Sequence, residues 1–514
     1  MAKPAHPHHW LLPQAPYETY AAYAKATGDS AVAKARKATP DAILAEVERS
    51  GLRGRGGGGF PTGTKWGTIR KHRCPKRTVI CNAAEGEPGT FKDRWLIRRN
   101  PYAILEGMLI AAHVVGTHEL YIAIKESFRK EIERLHQAVE ELKAAGVLEG
   151  YTLKIVAGPE EYLFGEEKAL LNVLEGQGPL PREAHYPPYE RGLRATAESP
   201  NPALVNNVET FAHVPSIVRH GAESFRKLGT ADTPGTLLFT LCGDLDKPGV
   251  YEAEAGIPLR ELFFRLGGGP RGPRSFKAAL CGVSTAVIGP EKFETLADFG
   301  SLRMINAGLG SGGFILVDDE SSIPRVAQAV ARFLYVESCN QCTACKHGLR
   351  TASGAIDELF GAKTATPDDY ERALFGARSA PQGNRCYLPQ GGALVIPSLL
   401  TRFKAEFDAQ LARPKSGRGR WRLPKISDWD EATKNFVYDA RQDSKNPDWT
   451  YRETQASTST SRFIPAAPTP EGEAGVRLAH DVWESMKSMA DAKGLDLDRQ
   501  VNDALREWLK RGRK

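Results

Sequence analysis

The 514-residue sequence lacks any apolar run of the roughly 18–20 residues that a membrane-spanning helix needs. The longest candidate, Ile104 to Val115, is broken by Glu106, Gly107 and His113, so direct membrane insertion is not expected. The first residues, MAKPAHPHHW, lack a basic start followed by an apolar core. No secretory signal is therefore read, and the chain is expected in the cytoplasm, with any membrane association made through partners. A strong charge of one sign is also missing: 69 basic against 62 acidic residues leave a net +7, too small an excess in so long a chain to argue for nucleic acid. Eight cysteines are far too few for a disulfide scaffold of this length. What remains is a globular composition, 41% hydrophobic and 25% charged, with room for about three domains of ~100–200 residues.

Two features stand out. Fifty glycines are gathered into short blocks, and three of the eight cysteines sit together as CNQCTAC, Cys339 to Cys345. Residues 17–50 read as helical, with Ile43, Leu44 and Val47 on one face and Gly51 as a stop. GLRGRGGGGFPTGTKW follows and reads as neither helix nor strand. Strand-like runs at 78–81, 119–124 and 151–157 then alternate with helical patterns at 104–115, 128–142 and 166–175, which implies a mostly parallel sheet. Short β-like pieces at 237–242, 278–281 and 314–317 suggest a small α+β domain. A helical pattern from Pro324 to Tyr335 then leads into the cysteines. Beyond it lie a basic run (Arg413, Lys415, Arg418, Arg420, Arg422, Lys425), a polar Trp-bearing stretch, linker-like composition over 454–474 and a compact module from Val476.

Gly54-Arg-Gly-Gly-Gly-Gly-Phe-Pro-Thr-Gly-Thr-Lys65 combines backbone freedom with charge. Consecutive N–H groups can converge on one anion while Arg55 and Lys65 add charge, which favours a phosphate or nucleotide site over a flexible linker. It is not a P-loop, since GxxxxGK followed by Ser or Thr is absent. Asn82-Ala-Ala-Glu-Gly-Glu-Pro-Gly-Thr90 follows a strand, where open α/β sheets bind ligands, and offers Asn82, Glu85 and Glu87 to sugar hydroxyls or a ring N–H. A solvated acidic turn is the competing reading. Tyr162-Leu-Phe-Gly-Glu-Glu167 sets two acids at a helix start, as plain capping would, and Val205-Asn-Asn-Val-Glu-Thr210 adds paired amides. Cys339, Cys342 and Cys345 have the CxxCxxC spacing of three corners of a [4Fe–4S] cube, and Cys386 alone remains downstream for the fourth. Four-thiolate zinc competes, although its usual spacing is two separated CxxC pairs. Cys74, Cys81, Cys242 and Cys281 read as ordinary buried thiols.

In this order, GLRGRGGGGFPTGTKW, CNAAEGEPGTFKDR, FGEEKALLNVLEG, SPNPALVNNVET, GLGSGG and ESCNQCTACKHG with distal Cys386 resemble the family of NADH-binding flavoprotein subunits found in respiratory complex I, NAD-linked hydrogenases and formate dehydrogenases. The likeness covers about residues 35 to 405. It implies an α/β chain: an N-terminal extension (1–34), a Rossmann-like FMN/NADH domain (35–232), a small ubiquitin-like α+β (SLBB) domain (233–325) and a helical [4Fe–4S] domain (326–412). A basic and polar linker (413–474) and a terminal module (475–514) lie outside the pattern. Carried over by position, FMN would meet Gly54, Arg55, Gly56, Gly57, Lys65, Asn82, Glu85, Tyr162, Gly165, Glu166, Asn206, Asn207 and Thr210. NAD(H) would stack on Phe60, with Glu87 and Glu167 near the nicotinamide and ribose as the catalytic pair and Tyr189 near the adenine. The cluster ligands would be Cys339, Cys342, Cys345 and Cys386.

The sequence departs from the family at Ala84, where an Asp is usual, at Thr68, where a second aromatic wall is usual, at Tyr186-Pro-Pro-Tyr189, where Lys-Pro-Pro-Phe is usual, and at Phe164, where a Cys is usual. The implied activity is NADH dehydrogenation that feeds a multi-subunit oxidoreductase through FMN and the cluster. The departures keep open a flavin and iron–sulfur relay served by a partner other than NADH, such as a ferredoxin, a quinone module or an aromatic-CoA reductase. With no [2Fe–2S] domain of its own, the chain is expected to need a thioredoxin-like [2Fe–2S] subunit and a larger iron–sulfur or catalytic subunit. The terminal module resembles a ribbon-helix-helix unit. Its strand offers chiefly Arg477 to DNA, so self-association is preferred there over nucleic-acid binding.

Overall fold

The computed structural model describes residues 10–451 except 29, 184–185, 362–364 and 413–420. The expected linker over 454–474, the ribbon-helix-helix-like module, and Arg413, Lys415, Arg418 and Arg420 of the basic run lie outside the described residues.

Three helices begin the chain, α1 (Tyr20–Thr27), α2 (Ala31–Lys37) and α3 (Pro40–Ser50), each capped by a side chain of Thr19, Ser30 or Thr39. Helix α4 (Thr62–Lys71) starts inside the glycine-rich segment, where composition alone predicts neither helix nor strand. Its glycines are there for proximity: a Cβ at Gly63 would stand 2.8 Å from the Glu48 Cα of α3. Only a bare backbone lets the two helices approach this closely.

The next elements alternate as expected: β1 (Thr78–Ala83), α5 (Lys92–Arg99), α6 (Pro101–Val115), β2 (Glu119–Lys125), α7 (Arg129–Ala144), β3 (Thr152–Gly158), α8 (Glu167–Leu174), β4 (Ala203–Asn207) and α9 (Val208–His220). The four strands form one parallel sheet in the order β3-β2-β1-β4. Val79 to Cys81 and Leu120 to Ile124 are buried, the unbroken apolar pattern of parallel strands covered on both faces. Helix α6 is buried nearly all round and crosses α9 so closely that a Cβ on Gly107 would lie 2.0 Å from the Phe211 carbonyl oxygen. Because the chain moves outward from β1 to β3 and then returns to the other side of β1, the order reverses between β1 and β4. The connections that leave their carboxyl ends run to opposite sides there, which makes the crevice where such sheets bind ligands.

After the short α10 (Ala222–Arg226), strands β5 (Thr236–Gly243), β6 (Gly249–Glu254), β7 (Phe276–Cys281) and, past α11 (Phe299–Met304), β8 (Gly313–Asp318) make a mixed sheet in the order β6-β5-β8-β7. β5 and β8 run parallel, and the outer pairs run antiparallel. Helices α12 (Ile323–Glu337), α13 (Thr343–Glu358), α14 (Pro367–Ser379), α15 (Leu388–Arg402) and α16 (Lys404–Ala412) follow.

The polar stretch expected as part of a linker is folded over 421–451. Strands β9 (Ile426–Asp430) and β10 (Asn435–Tyr438) form an antiparallel hairpin. Trp429 lies 5.7 Å from Trp95 and Phe436 lies 5.6 Å from Phe91, ring centre to ring centre, and Arg94 Nη1 donates to the Ile426 carbonyl at 2.9 Å. Aromatic burial overrides the polar composition here.

Candidate functional site

The glycine-rich loop arches over the β1/β4 crevice. Arg55 N–H donates to Thr210 Oγ1 at 2.9 Å and the Gly54 N–H to the Phe60 carbonyl at 2.8 Å, while a Cβ on Gly56 would crowd Asn207 Cβ at 3.1 Å. Gly57 (φ +116°) and Gly59 (φ +60°) adopt backbone conformations that side chains resist.

Below the loop lie two adjoining cavities of about 620 and 440 Å³, within the roughly 300–1,000 Å³ usual for cofactor sites. Gly56, Asn82, Gly165, Glu166 and Asn207 line both. Gly57, Glu85, Glu87 and Tyr162 complete the expected set in the larger cavity; Gly54, Phe60, Lys65, Glu167, Asn206 and Thr210 complete it in the smaller. Register explains part of this convergence, since Cys81 pairs with Asn206 and Asn82 with Asn207 at the ends of β1 and β4.

Two expected residues line neither cavity. Arg55 is buried and directs Nη2 to the Pro234 and Thr236 carbonyls at 2.7 and 3.2 Å, away from the crevice. Burial pulls its guanidinium down to about 10. Its place is set by the chain entering β5, which local sequence does not reveal. Tyr189 instead stacks on Phe60, with ring centres 6.2 Å apart and planes at 23°. Thr68 returns its hydroxyl to the Thr64 carbonyl at 3.0 Å on the exposed side of α4.

The carboxylates are held individually. Glu87 accepts from the Tyr162 hydroxyl, the Val283 N–H at 2.7 Å and Ser284 Oγ at 3.3 Å, while burial raises its pKa against these bonds. Glu166 caps α8 by accepting from the Lys168 and Ala169 N–H groups at 3.0 and 2.9 Å, and burial pushes it up to about 7. Glu167 pairs with Lys65 at 2.7 Å, and Lys65 also donates to the Val205 carbonyl at 3.0 Å. Glu85 is spent within the protein, on Arg94 at 2.9 Å and the Asp93 N–H at 3.1 Å.

Beneath the larger cavity is a charged floor that motif spacing does not reveal. Lys92 Nζ lies 2.7 Å from Asp93, 2.8 Å from Glu209 and 3.2 Å from Asn207 Oδ1, and Asn207 Nδ2 donates to Asp93 at 2.6 Å. Burial alone would raise Glu209, but Lys92 holds it down to about 2; burial raises Asp93, which lines the cavity. The available signal was the Lys-Asp-Arg that ends CNAAEGEPGTFKDR.

These cavities suit a flavin nucleotide. Asn206 Oδ1 and Ser311 Oγ are buried, lack a protein hydrogen-bond partner and belong to cavity-lining residues, and nothing lies within 4 Å of where a Cβ on Gly58 would stand.

A third, small cavity gathers Cys339, Cys342, Cys345 and Cys386. The four thiols line this one space, and the CxxCxxC spacing of the first three with one distal cysteine is the arrangement of [4Fe–4S] ligation. Burial raises the Cys339 and Cys345 thiols and takes Cys386 to about 12, so bound metal would have to supply the charge that makes them thiolates. Leu163, Cys386 and Leu388 line both this cavity and the larger flavin-sized one. Among the described residues no helix is long and apolar enough to cross a membrane.

Comparison with known proteins follows the same division. Residues 47–216 match the Nuo51 FMN-binding domain, and residues 325–410 match the NADH-ubiquinone oxidoreductase-F iron-sulfur binding region. The chain is 37% identical over 382 residues to the NADH-quinone oxidoreductase F 2 subunit of Rhizobium meliloti (strain 1021), covering 73% of this chain and 89% of that protein. It is 36% identical over 394 residues to the NADH-quinone oxidoreductase F subunit of Aquifex aeolicus (strain VF5), covering 75% and 90%. Among solved structures, NAD+-reducing [NiFe]-hydrogenase in the H2-reduced state matches with a TM-score of 0.68 and 33% identity, over 76% of this chain and 66% of that one.

Proposed function

The chain belongs to the family of NADH-quinone oxidoreductase F subunits, and we propose that it is the electron-input subunit of a multi-subunit oxidoreductase, passing electrons between NADH and a [4Fe–4S] cluster by way of FMN. The observation that carries the reading is the shared wall: Leu163, Cys386 and Leu388 are all that need separate a flavin in the larger cavity from a cluster in the small one. FMN supplies the exchange of one two-electron step for two one-electron steps.

The protein's own groups supply position and charge. Asn82, Asn206 and Asn207 at the strand ends, with the N–H groups of Gly56 and Gly57, would hold FMN, and Lys65 would balance its phosphate. Glu167, paired with Lys65 in the smaller cavity that Phe60 also lines, and Glu87, held by Tyr162 in the larger one, would orient the dinucleotide. Asp93 and Lys92 fix the Asn207 amide, so Asn207 meets its ligand in one orientation. Cys339, Cys342, Cys345 and Cys386 would hold the cluster. The output side would be a thioredoxin-like [2Fe–2S] subunit and a larger iron–sulfur or catalytic subunit.

The test is anaerobic mixing of the FMN- and iron-loaded protein with NADH. Flavin absorbance is expected to bleach first and cluster absorbance after it. Flavin that stays oxidised under excess NADH yet bleaches with dithionite would overturn NADH as the donor and favour the relay served by another redox partner.

A further inference from the structure

Residues 421–451 lie beyond both matched stretches, yet their contacts converge on the join between the flavin-sized and cluster cavities. Lys445, fully buried, donates to both oxygens of Glu337 at 2.9 Å. Gln442 Nε2 donates to the same carboxylate at 3.1 Å, and its Oε1 accepts from Lys425 Nζ at 2.8 Å. On its other side, Glu337 Oε2 accepts the Tyr162 N–H at 3.1 Å. Tyr162 opens the 3-10 turn Tyr162–Gly165; its hydroxyl locks Glu87, and the next residue, Leu163, belongs to the wall between the cavities. The strap also grips the helix end before the cysteines. Trp449 Nε1 donates to the Val336 carbonyl at 2.9 Å, and Lys346, the neighbour of Cys345, donates to the Pro447 and Ser338 carbonyls at 2.7 and 2.8 Å.

We propose that 421–451 is a strap that sets the flavin-to-cluster distance, and that Lys445 is a positioning residue for that electron transfer, acting through Glu337 on the Tyr162–Leu163 turn. A lone carboxylate at a site with no exposed surface is strongly disfavoured. Lys445 keeps Glu337 in place as a charge-assisted acceptor for the Tyr162 N–H, which pins the backbone that carries Leu163. The composition of 421–451 gives no hint of this, because Lys445 and Gln442 acquire a role only when the strap is folded against α12.

The proposal rests on the reading that electrons pass from flavin to cluster, and its test separates the two. The full chain, loaded with FMN and iron–sulfur cluster, is mixed anaerobically with NADH, and the rates of flavin and cluster bleaching are taken as a ratio. Three variants are compared with the unaltered protein: K445M, E337Q/K445M and E337L/K445M. Neither double variant leaves one member of the Glu337–Lys445 pair charged without the other, and only the glutamine retains an acceptor for Tyr162. K445M and E337L/K445M are expected to slow cluster bleaching relative to flavin bleaching by about tenfold, as small misplacements at reacting centres do, and E337Q/K445M by less than about threefold. Amide hydrogen exchange over 162–165, read on the same proteins without cofactors, should quicken in E337L/K445M and stay slow in E337Q/K445M. Equal ratios in the two double variants, or equal exchange in both, would overturn the strap; if K445M does not fold, the double variants decide. A flavin that NADH does not bleach in the unaltered protein would remove the underlying reading and the proposal with it.

Discussion

Lys92 faces Asp93, Glu209 and Asn207 Oδ1 from a site with almost no exposed surface. Replacing it by Met keeps the bulk and removes the ammonium 2.8 Å from Glu209, leaving His213 Nε2 at 3.8 Å. Breaking a buried pair in this way costs about 3–5 kcal/mol, read as a lowered denaturant midpoint of the cofactor-free protein. The pH dependence has a definite sign. Lys92 keeps the Glu209 carboxyl at about 2, below its ordinary 4.5, so the stability it contributes is complete above about pH 4.5 and is lost as pH falls toward 2. K92M should flatten that acid-side slope, with His213 and Arg55 still lowering Glu209, and an unchanged acid slope would remove Lys92 from this role. At this scale the sequence singled out residues that the structure brings together, the four cysteines around one cavity and the Asn82 loop and the Asn206-Asn207 pair around the other two. It misled at Arg55, a cation in a glycine loop that resembles a phosphate ligand. Pro234 and Thr236, far along the chain, take its guanidinium.

Helices and strands were legible where the apolar period is clean, as in β1, β2, α7 and α12. They were hidden where packing outweighs local preference: α4 begins among glycines because α3 must pass close by, and β9–β10 form from polar sequence because Trp429 and Phe436 find Trp95 and Phe91. The α6–α9 crossing allows a test at this scale. A methyl group on Gly107 would sit 2.0 Å from the Phe211 carbonyl oxygen, so the helices must separate. G107A is expected to cost at least about 1–3 kcal/mol, as overpacking does. Helix α9 starts directly after Asn207 and carries Thr210, which accepts from the glycine loop. The same change should therefore weaken FMN retention, measured as flavin released on gel filtration. Lowered stability with full flavin retention would show that the crossing does not position the site.

At the scale of the whole molecule, the wall between the two cofactor spaces is drawn from distant parts of the chain: Leu163 follows β3, Leu388 opens α15, and Lys445 reaches the Tyr162–Leu163 turn from the strap through Glu337. This convergence was only half legible. The downstream cysteine could be found by elimination, but nothing in the sequence says that Cys386 borders the flavin-sized cavity as well as the cluster cavity. The dual position makes Cys386→Ser a test of the architecture. Serine keeps the shape of the shared wall and removes one thiolate, so iron per chain and the broad cluster absorbance should fall while FMN still binds. NADH should still bleach that flavin, which then has no acceptor within the chain and stays reduced until oxygen or an artificial acceptor is added. Unchanged iron content would remove Cys386 from the ligand set. Loss of flavin along with the iron would mean that the cluster is needed to hold the wall, and that the two sites fold as one.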